Sequence, residues 1–201
     1  MVLKIFQAGE ITLRQSARPL TRDEILSEPI QQLIVAIRDT MRDAPGVGLA
    51  APQVGIPIQL AVIEDKQETI DRMPPGQAAE HERTAVPFHT IVNPVLTLEN
   101  IASEPVELYE GCLSVAGFRA VVPRARKVRV ECLNERAEPV VIHAQGWYAR
   151  ILQHEIDHLH GKLYIDRMYS RSFTTMENFS RYWKDVPPSE FRGGGRKGGT
   201  R

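Results

Sequence analysis

The stretch GWYARILQHEIDHLHGKLYID, residues 146–166, carries two histidines that are four residues apart. In an α-helix such residues share one face, so His154 and His158 would direct both imidazoles at one point. The pattern His-Glu-x-x-His is typical of metallohydrolases, in which the glutamate, here Glu155, is the general base. The alternative is a surface helix end with two solvated histidines. The apolar neighbours favour a buried helix, because Ile151 falls on the histidine side.

The composition is that of one ordinary globular domain. The chain has 201 residues, of which 42% are hydrophobic and 25% are charged, and its formal net charge is zero. This balance gives no electrostatic footprint for nucleic acid or an anionic membrane, and no apolar run approaches membrane-spanning length. The N-terminus lacks the features of a secretory signal. The only two cysteines, Cys112 and Cys132, favour a reducing interior over a disulfide framework.

Apolar periodicity predicts an α+β fold, with one helix near the N-terminus and the metal-motif helix towards the C-terminus. The predicted elements are helices at 27–43 and 146–160 and strands at 58–63, 90–98, 128–133 and 139–144. The last two strands form a hairpin. Residues 44–57 are predicted to be a loop, and 64–88 an exposed loop or insertion with no chemistry of its own. We expect one catalytic domain over 1–185 and a flexible tail over 186–201.

A catalytic site of this kind needs a third protein ligand and an open position for water. Glu177 lies 19 positions after His158, a spacing that resembles the thermolysin-like metallopeptidases. Cys112, in the segment EGCLSV (110–115), offers a thiolate, which is a softer ligand. Each residue also has a plain alternative, Cys112 as a small buried hydrophobe and Glu177 as a solvated charge. The residues around Glu177 lack the partners expected beside a thermolysin-like glutamate, which favours Cys112.

A third segment, GVGLAAPQVG (46–55), supplies groups that suit the same site. Gly46 and Gly48 permit close approach of the backbone to a ligand. Gln53 carries a side-chain amide that can donate to a developing oxyanion.

The chain resembles the peptide deformylase family. The three signature motifs of that family look like, in this order, GVGLAAPQ, EGCLS and QHEIDHL. The resemblance extends from about residue 3 to about residue 170 and looks most like the type 1A branch, which includes mitochondrial, plant organellar and some bacterial enzymes. The chain departs from the family pattern in the longer polar stretch 64–88 and in the tail after 185.

The resemblance implies a fold in which antiparallel β-sheets surround the central metal-binding helix. It also implies a metal-dependent hydrolase that removes the N-formyl group from the N-terminal methionine of newly synthesised polypeptides. The implied metal ligands are Cys112, His154 and His158. Glu155 would take a proton from the metal-bound water that attacks the formyl carbon, while the Gln53 side chain and the Leu113 backbone N–H donate to the oxyanion. Asp157 is either a group that holds a ligating imidazole or a helix surface charge.

The same resemblance implies a substrate site that binds the peptide as an added strand. The expected substrate-binding residues are Gly46, Val47, Gly48, Leu108, Gly111, Arg119, Trp147 and Ile151. The four larger apolar members fit a plain core equally well, and Arg119 fits an exposed arginine.

The implied cofactor is Fe²⁺, for which Zn²⁺, Ni²⁺ or Co²⁺ can substitute, because a thiolate and two imidazoles suit all four ions. The expected partners are formyl-methionyl nascent peptides, with transient association with the ribosome, no membrane, no direct nucleic-acid binding, and a monomeric or homodimeric state. We expect a bacterial cytoplasmic protein, because the family's own N-terminal region begins near the start of the chain and leaves no room for a presequence. A mitochondrion or plastid is the alternative.

Two other functions remain open. One is a thermolysin-like endopeptidase that uses Glu177, and the other is a non-enzyme whose metal is structural. A structural site is closed by four protein ligands and has no need of Glu155 or Gln53, so their presence argues against the second.

Overall fold

The fold consists of two antiparallel sheets and a central helix. The computed structural model describes residues 1–99 and 105–192. The helices are Arg22–Leu26 (α1), Glu28–Asp43 (α2), Gln67–Ile70 (α3), Gln77–Glu80 (α4), Gly146–Leu159 (α5) and Met176–Asn178 (α6). The strands are Gly48–Ala50 (β1), Leu60–Asp65 (β2), Val86–Glu99 (β3), Val106–Cys112 (β4), Val115–Arg124 (β5), Lys127–Leu133 (β6), Pro139–Gln145 (β7) and Thr174–Thr175 (β8).

The larger sheet has the strand order β1-β2-β3-β6-β7, and the smaller one has the order β4-β5-β8. Every pairing within them is antiparallel. The β6–β7 hairpin closes through 134–138, as the sequence predicts. The α+β class and the antiparallel sheets around the metal-motif helix are therefore confirmed.

The larger sheet lies between two helices, and strand β2 shows why. Successive strand residues point to opposite faces. Ala61 and Ile63 pack in the same cluster as the buried face of α5. Leu60 and Val62 pack in the cluster that contains the buried face of α2. A strand buried on both faces must be apolar throughout, which explains its continuous hydrophobic run.

The predicted N-terminal helix is present with the expected start. Ser27 is the N-cap residue of α2, and Pro29 occupies the first turn, where its missing N–H costs nothing. Ile34, Ile37 and Met41 are buried along one face. The apolar spacing of 27–43 therefore identified both the helix and its packing side.

Two predicted loops are wrong. Residues 44–57 contain strand β1 and the 3₁₀-helix Ala51–Val54, because the glycine-rich backbone pairs with β2 from Gly48 to Ala50. Residues 64–88 contain α3 and α4 and are anchored by Asp65, whose buried carboxylate binds Arg83. Their polar composition concealed this anchor, because the two partners are 18 residues apart.

The β4–β5 hairpin was not predicted from the sequence. Strand β4 ends at Cys112. The turn itself is only two residues long, since Cys112 pairs with Val115. The hairpin carries buried charged residues, including Glu110 and Arg124, which interrupt the apolar alternation used to identify strands.

A flexible tail is predicted for 186–201, but the first seven of these residues have defined structure and contacts. Pro188–Phe191 form a 3₁₀-helix, and the Phe191 ring lies 6.2 Å from that of Tyr109. Arg192 forms an ion pair with Glu107. Residues 193–201 lie outside the described residues, and the boundary at 185 stays a prediction.

Two glycines with positive φ allow a test of how helix α5 is anchored. Gly146 has φ +60°, and a Cβ there would lie 2.4 Å from Cβ of Glu82, whereas Gly76 has φ +86° and open space around it. We expect Gly76→Ala to lower the free energy of unfolding by about 1 kcal/mol from backbone strain alone. Gly146→Ala should cost at least about 1 kcal/mol more, since overpacking adds to the strain. Equal urea midpoints for the two variants would contradict this packing.

Candidate metal centre

The end of strand β4 meets the middle of helix α5 at three side chains that could hold a metal ion. The thiol of Cys112 and the imidazoles of His154 and His158 have ligand atoms that all lie within 4.8 Å of one another. Cys112 Sγ is 3.3 Å from Nε2 of His158. Two ligands of a tetrahedral zinc-type ion with bonds of 2.0–2.3 Å are about 3.5 Å apart, so this geometry fits a single divalent ion.

The electrostatics of the three groups also fit a cation. Burial lowers the pKa of His158 well below its ordinary value, so its imidazole is neutral and able to ligate. Burial acts in the same direction on His154, but Cys112 and Glu110 outweigh it and raise its pKa. Negative groups therefore surround His154 and favour a positive charge at the position where the three ligand atoms converge.

Glu110 orients the first of the two imidazoles. Its Oε2 lies 3.0 Å from Nδ1 of His154, so Nε2 of that ring would be the atom that binds a metal ion. Arg124 binds both carboxylate oxygens at 2.9 and 3.0 Å, and Arg150 binds one at 2.6 Å. Burial opposes ionisation, but Arg124 and His154 outweigh it and hold the pKa of Glu110 well below its usual range. The sequence analysis missed this role, although Glu110 opens the EGCLS motif.

Asp157 is neither a surface charge nor a direct partner of a ligating imidazole. Its side chain is buried, and Arg167 binds both of its oxygens at 2.7 Å. Arg124 donates to it from the other side. Because the same Arg124 holds Glu110, Asp157 supports His154 through two intervening side chains.

Glu155 lies beside these ligands in an unusual environment. It is 3% exposed, and its Oε2 has no hydrogen-bond partner among the described residues. Burial raises its pKa to about 7. A Cβ at Gly48 would lie 2.3 Å from Oε1 of Glu155, so only glycine leaves room for this carboxylate. The carboxyl group thus combines a free oxygen with a pKa suited to proton transfer near neutral pH.

The Gln53 amide is oriented by its neighbours. Its Oε1 accepts from the backbone N–H of Ala50 at 2.9 Å, which identifies the other atom as the nitrogen. Nε2 lies 3.1 Å from Oγ of Ser114 and 3.6 Å from Sγ of Cys112. A donor therefore faces the metal ligands. Leu113 follows Cys112 in the turn, and its side chain lies so close to Gly46 that a Cβ there would be 2.9 Å away.

A cavity of about 540 Å³ opens onto Cys112 and His154, with Glu155 beside them. Seven of the eight expected substrate-binding residues line it: Gly46, Val47, Gly48, Gly111, Arg119, Trp147 and Ile151. Leu108 is not among them, and its role in substrate binding stays a prediction. The cavity also includes Arg83, Phe118 and Met176, which the sequence analysis missed. Each comes from a segment without a recognisable motif.

Glu177 does not belong to the metal centre. Its side chain is 76% exposed and pairs with Arg181 one helical turn later. The structure therefore removes the support for the thermolysin-like alternative.

Comparison with known proteins identifies the family. The family model for polypeptide deformylase matches residues 2–173. The chain belongs to the peptide deformylase family. This membership confirms the family predicted from the three motifs.

Named relatives place the chain within this family. Peptide deformylase 1A, chloroplastic, of Solanum lycopersicum is 44% identical over 87% of the chain, and its label agrees with the predicted branch. The chain spans 62% of the length of that relative. Peptide deformylase of Bifidobacterium adolescentis is 44% identical over 94% of the chain and 84% of its own length.

A solved structure supports the same assignment. The Met-Ala-Ser-bound class I type b peptide deformylase of Acinetobacter baumannii is similar to the chain with a TM-score of 0.71 and 34% identity. The similarity covers 84% of this chain and 99% of that one. The chain therefore shares its fold with that enzyme.

Replacement of Glu110 tests the support of the metal centre. Glu110→Gln removes the charge that holds His154, and loss of such a partner typically weakens metal binding by about 10–100-fold. Glu107→Gln is the matched control, since Glu107 is a buried glutamate of the same strand that binds Tyr169 instead. Chelator competition on the folded variants measures both affinities. Equal affinities for the two variants would remove Glu110 from this role.

Proposed function

We propose that this chain is a peptide deformylase, a metal-dependent hydrolase that removes the N-formyl group from the N-terminal methionine of newly synthesised polypeptides. The observation that carries the proposal is the convergence of Cys112, His154 and His158 beside Glu155, at the base of a cavity. Membership of the family and the similarity to a structure with bound Met-Ala-Ser support the same substrate class.

Cys112, His154 and His158 would hold one divalent ion, which lowers the pKa of water and polarises a carbonyl group. Fe²⁺ is the proposed physiological ion, with Zn²⁺, Ni²⁺ or Co²⁺ as substitutes, because a soft thiolate with two imidazoles suits each of them. The donor set supports a divalent transition-metal ion, and the identity of that ion stays a prediction.

The protein groups have separate tasks in the reaction. The Glu155 carboxylate accepts a proton from the attacking water and passes it to the departing amine of methionine. The Gln53 amide and the Leu113 backbone N–H donate to the formyl oxygen as it gains charge, and each such donor is typically worth about 2.7–4 kcal/mol. Burial of Glu155 at 3% exposure keeps bulk water away from this transfer.

The substrate would lie along the glycine-rich edge of the cavity. Gly46, Gly48 and Gly111 line the cavity without side chains, which suits an added peptide strand. Val47, Trp147 and Ile151 offer apolar surface for the methionine side chain, and Arg119 offers a charged group beside them. The formyl carbon carries only hydrogen, so a narrow site admits it and rejects larger acyl groups.

The setting of the reaction follows from the substrate. Nascent chains are presented by the ribosome, so we propose transient association with it, in a monomeric or homodimeric state. Among the described residues no helix is both long and apolar enough to cross a bilayer. A bacterial cytoplasm is the proposed compartment, with an organelle as the alternative, since the relatives include bacterial and chloroplastic proteins.

An anaerobic assay on formyl-Met-Ala, with metal analysis of the same sample, tests the proposed function directly. Glu155→Gln should retain the metal and lose at least about 100-fold in kcat, because an amide cannot accept the proton. A variant that keeps more than about a tenth of the wild-type rate would exclude Glu155 as general base.

The third ligand separates the deformylase from a thermolysin-like enzyme. Cys112→Ala should lose both metal and activity, whereas Cys112→Asp should retain some metal, because a carboxylate also ligates. Glu177→Ala should match the wild type, since an exposed change usually alters stability by less than about 0.5 kcal/mol. Full metal content in Cys112→Ala would refute the proposed ligand set.

A further inference from the structure

The Trp147 ring forms one wall of the cavity and is contacted by the segment between β2 and β3. The His81 ring stacks on it, with centroids 5.5 Å apart and planes inclined by 17°. The guanidinium carbon of Arg83 lies 5.1 Å from the centre of the indole. Trp147 Nε1 is buried and has no hydrogen-bond partner among the described residues, so stacking rather than hydrogen bonding orients the ring.

Arg83 is itself held in place by a buried carboxylate. Its Nε and Nη2 donate to the two oxygens of Asp65 at 2.7 and 2.9 Å. The Asp65 side chain is fully buried, and that of Arg83 is 11% exposed. A two-point bond to a planar guanidinium fixes its orientation as well as its position. The Arg83 plane therefore presents a fixed surface to the indole.

The same segment presses on the start of helix α5. A Cβ at Gly146 would lie 2.8 Å from the backbone oxygen of Glu82 and 3.1 Å from that of His81. Trp147 follows Gly146 directly, so the backbone that carries the indole is also packed against residues 81–82. Movement of this segment would displace the ring.

We propose that Arg83, held by Asp65, is a positioning residue that fixes the Trp147 ring and thereby sets which first side chain of the formylated peptide the cavity accepts. The inference rests on the proposed function, since it specifies the selectivity of that site. Arg83 acts on the substrate through the Trp147 ring. Its own charge plays no part, because the Asp65 carboxylate already neutralises that charge. Residues 64–88 therefore take part in substrate selection.

The test uses a double variant, Asp65→Asn with Arg83→Met. It removes both charges together, so no buried charge is left unpaired, and methionine retains much of the side-chain volume. Arg83→Lys is the conservative variant, which keeps a cation near Asp65 and loses the planar fork. If the double variant does not fold, the indole exposure and the substrate selectivity of Arg83→Lys decide the proposal by themselves.

The chain offers a matched control one residue away. Glu64 binds Arg42 in the same two-point manner, at 2.6 and 2.7 Å, and Arg42 lies 5.7 Å from the Phe88 ring. This pair does not line the cavity. Glu64→Gln with Arg42→Met thus removes a pair with the same two-point geometry, although Arg42 is more exposed than Arg83, from the neighbouring position of the same strand.

Two readouts separate a positioning role from a general loss of stability. In a Trp183→Phe background Trp147 is the single tryptophan, and acrylamide quenching reports its exposure without any substrate. The second readout is the ratio of kcat/KM for formyl-Met-Ala to that for formyl-Phe-Ala. Urea unfolding establishes that each variant is folded under the assay conditions.

We expect the Asp65–Arg83 double variant to raise the quenching constant by about twofold and to lower the selectivity ratio by at least about fivefold, since pocket contacts are worth about 10–200-fold in discrimination. The kcat for formyl-Met-Ala should stay within about threefold, because no group at the reacting atoms changes. Arg83→Lys should lie between wild type and double variant, and the Glu64–Arg42 control should match wild type.

Unchanged quenching and selectivity in the folded double variant, or equal changes in the control, would overturn the proposal. A wild-type protein without deformylase activity would refute the proposed function instead. In that case the quenching constants still decide whether Arg83 positions Trp147.

Discussion

The buried carboxylate of Glu110 is the interaction on which the metal centre depends. It lies in the smaller sheet and accepts hydrogen bonds from Arg124 of its own hairpin and from Arg150 and His154 of helix α5. A buried charge costs several kcal/mol unless its hydrogen-bonding capacity is met, and here three partners meet it. The smaller sheet and the helix are thus joined at the point where Cys112, His154 and His158 converge.

Arg150 extends this connection to the backbone. Besides Glu110 it donates to the carbonyl oxygens of Val106 and Val122, at 2.6 and 2.9 Å, which belong to the two paired strands β4 and β5. One side chain of α5 therefore fixes the hairpin at two points as well as the carboxylate. Such a site is held ready before any ion binds, because rigid elements and their supporting hydrogen bonds set the ligand positions.

The sequence predicted what is encoded locally. His154, Glu155 and His158 fall within one helical turn, and Cys112 and Gln53 lie in short motifs, so spacing and resemblance sufficed to find them. The periodicity of α2 and of the sheet strands likewise lies within single segments. Glu110 and Arg150 are 40 residues apart, and only the folded chain shows that they pair.

The polar segment 64–88 shows a second limit of sequence interpretation. Its prolines and charges indicate a loop, and composition gives no sign that Arg83 returns to a buried aspartate. A buried ion pair looks polar in the sequence and behaves as part of the core in the structure.

Two glutamates near one metal centre illustrate how environment divides their tasks. Glu110 and Glu155 are both buried, at 4% and 3% exposure. Arginine neighbours keep Glu110 ionised, so it serves as a fixed negative partner for an imidazole. Glu155 has an oxygen without a partner among the described residues, and burial raises its pKa to about 7. Pairs of acids whose environments separate their pKa values in this way are typical of sites in which one acid moves a proton and the other does not. The absence of a side chain at Gly48 is part of the same arrangement, because it is the space left there that allows Glu155 to remain buried without a compensating charge.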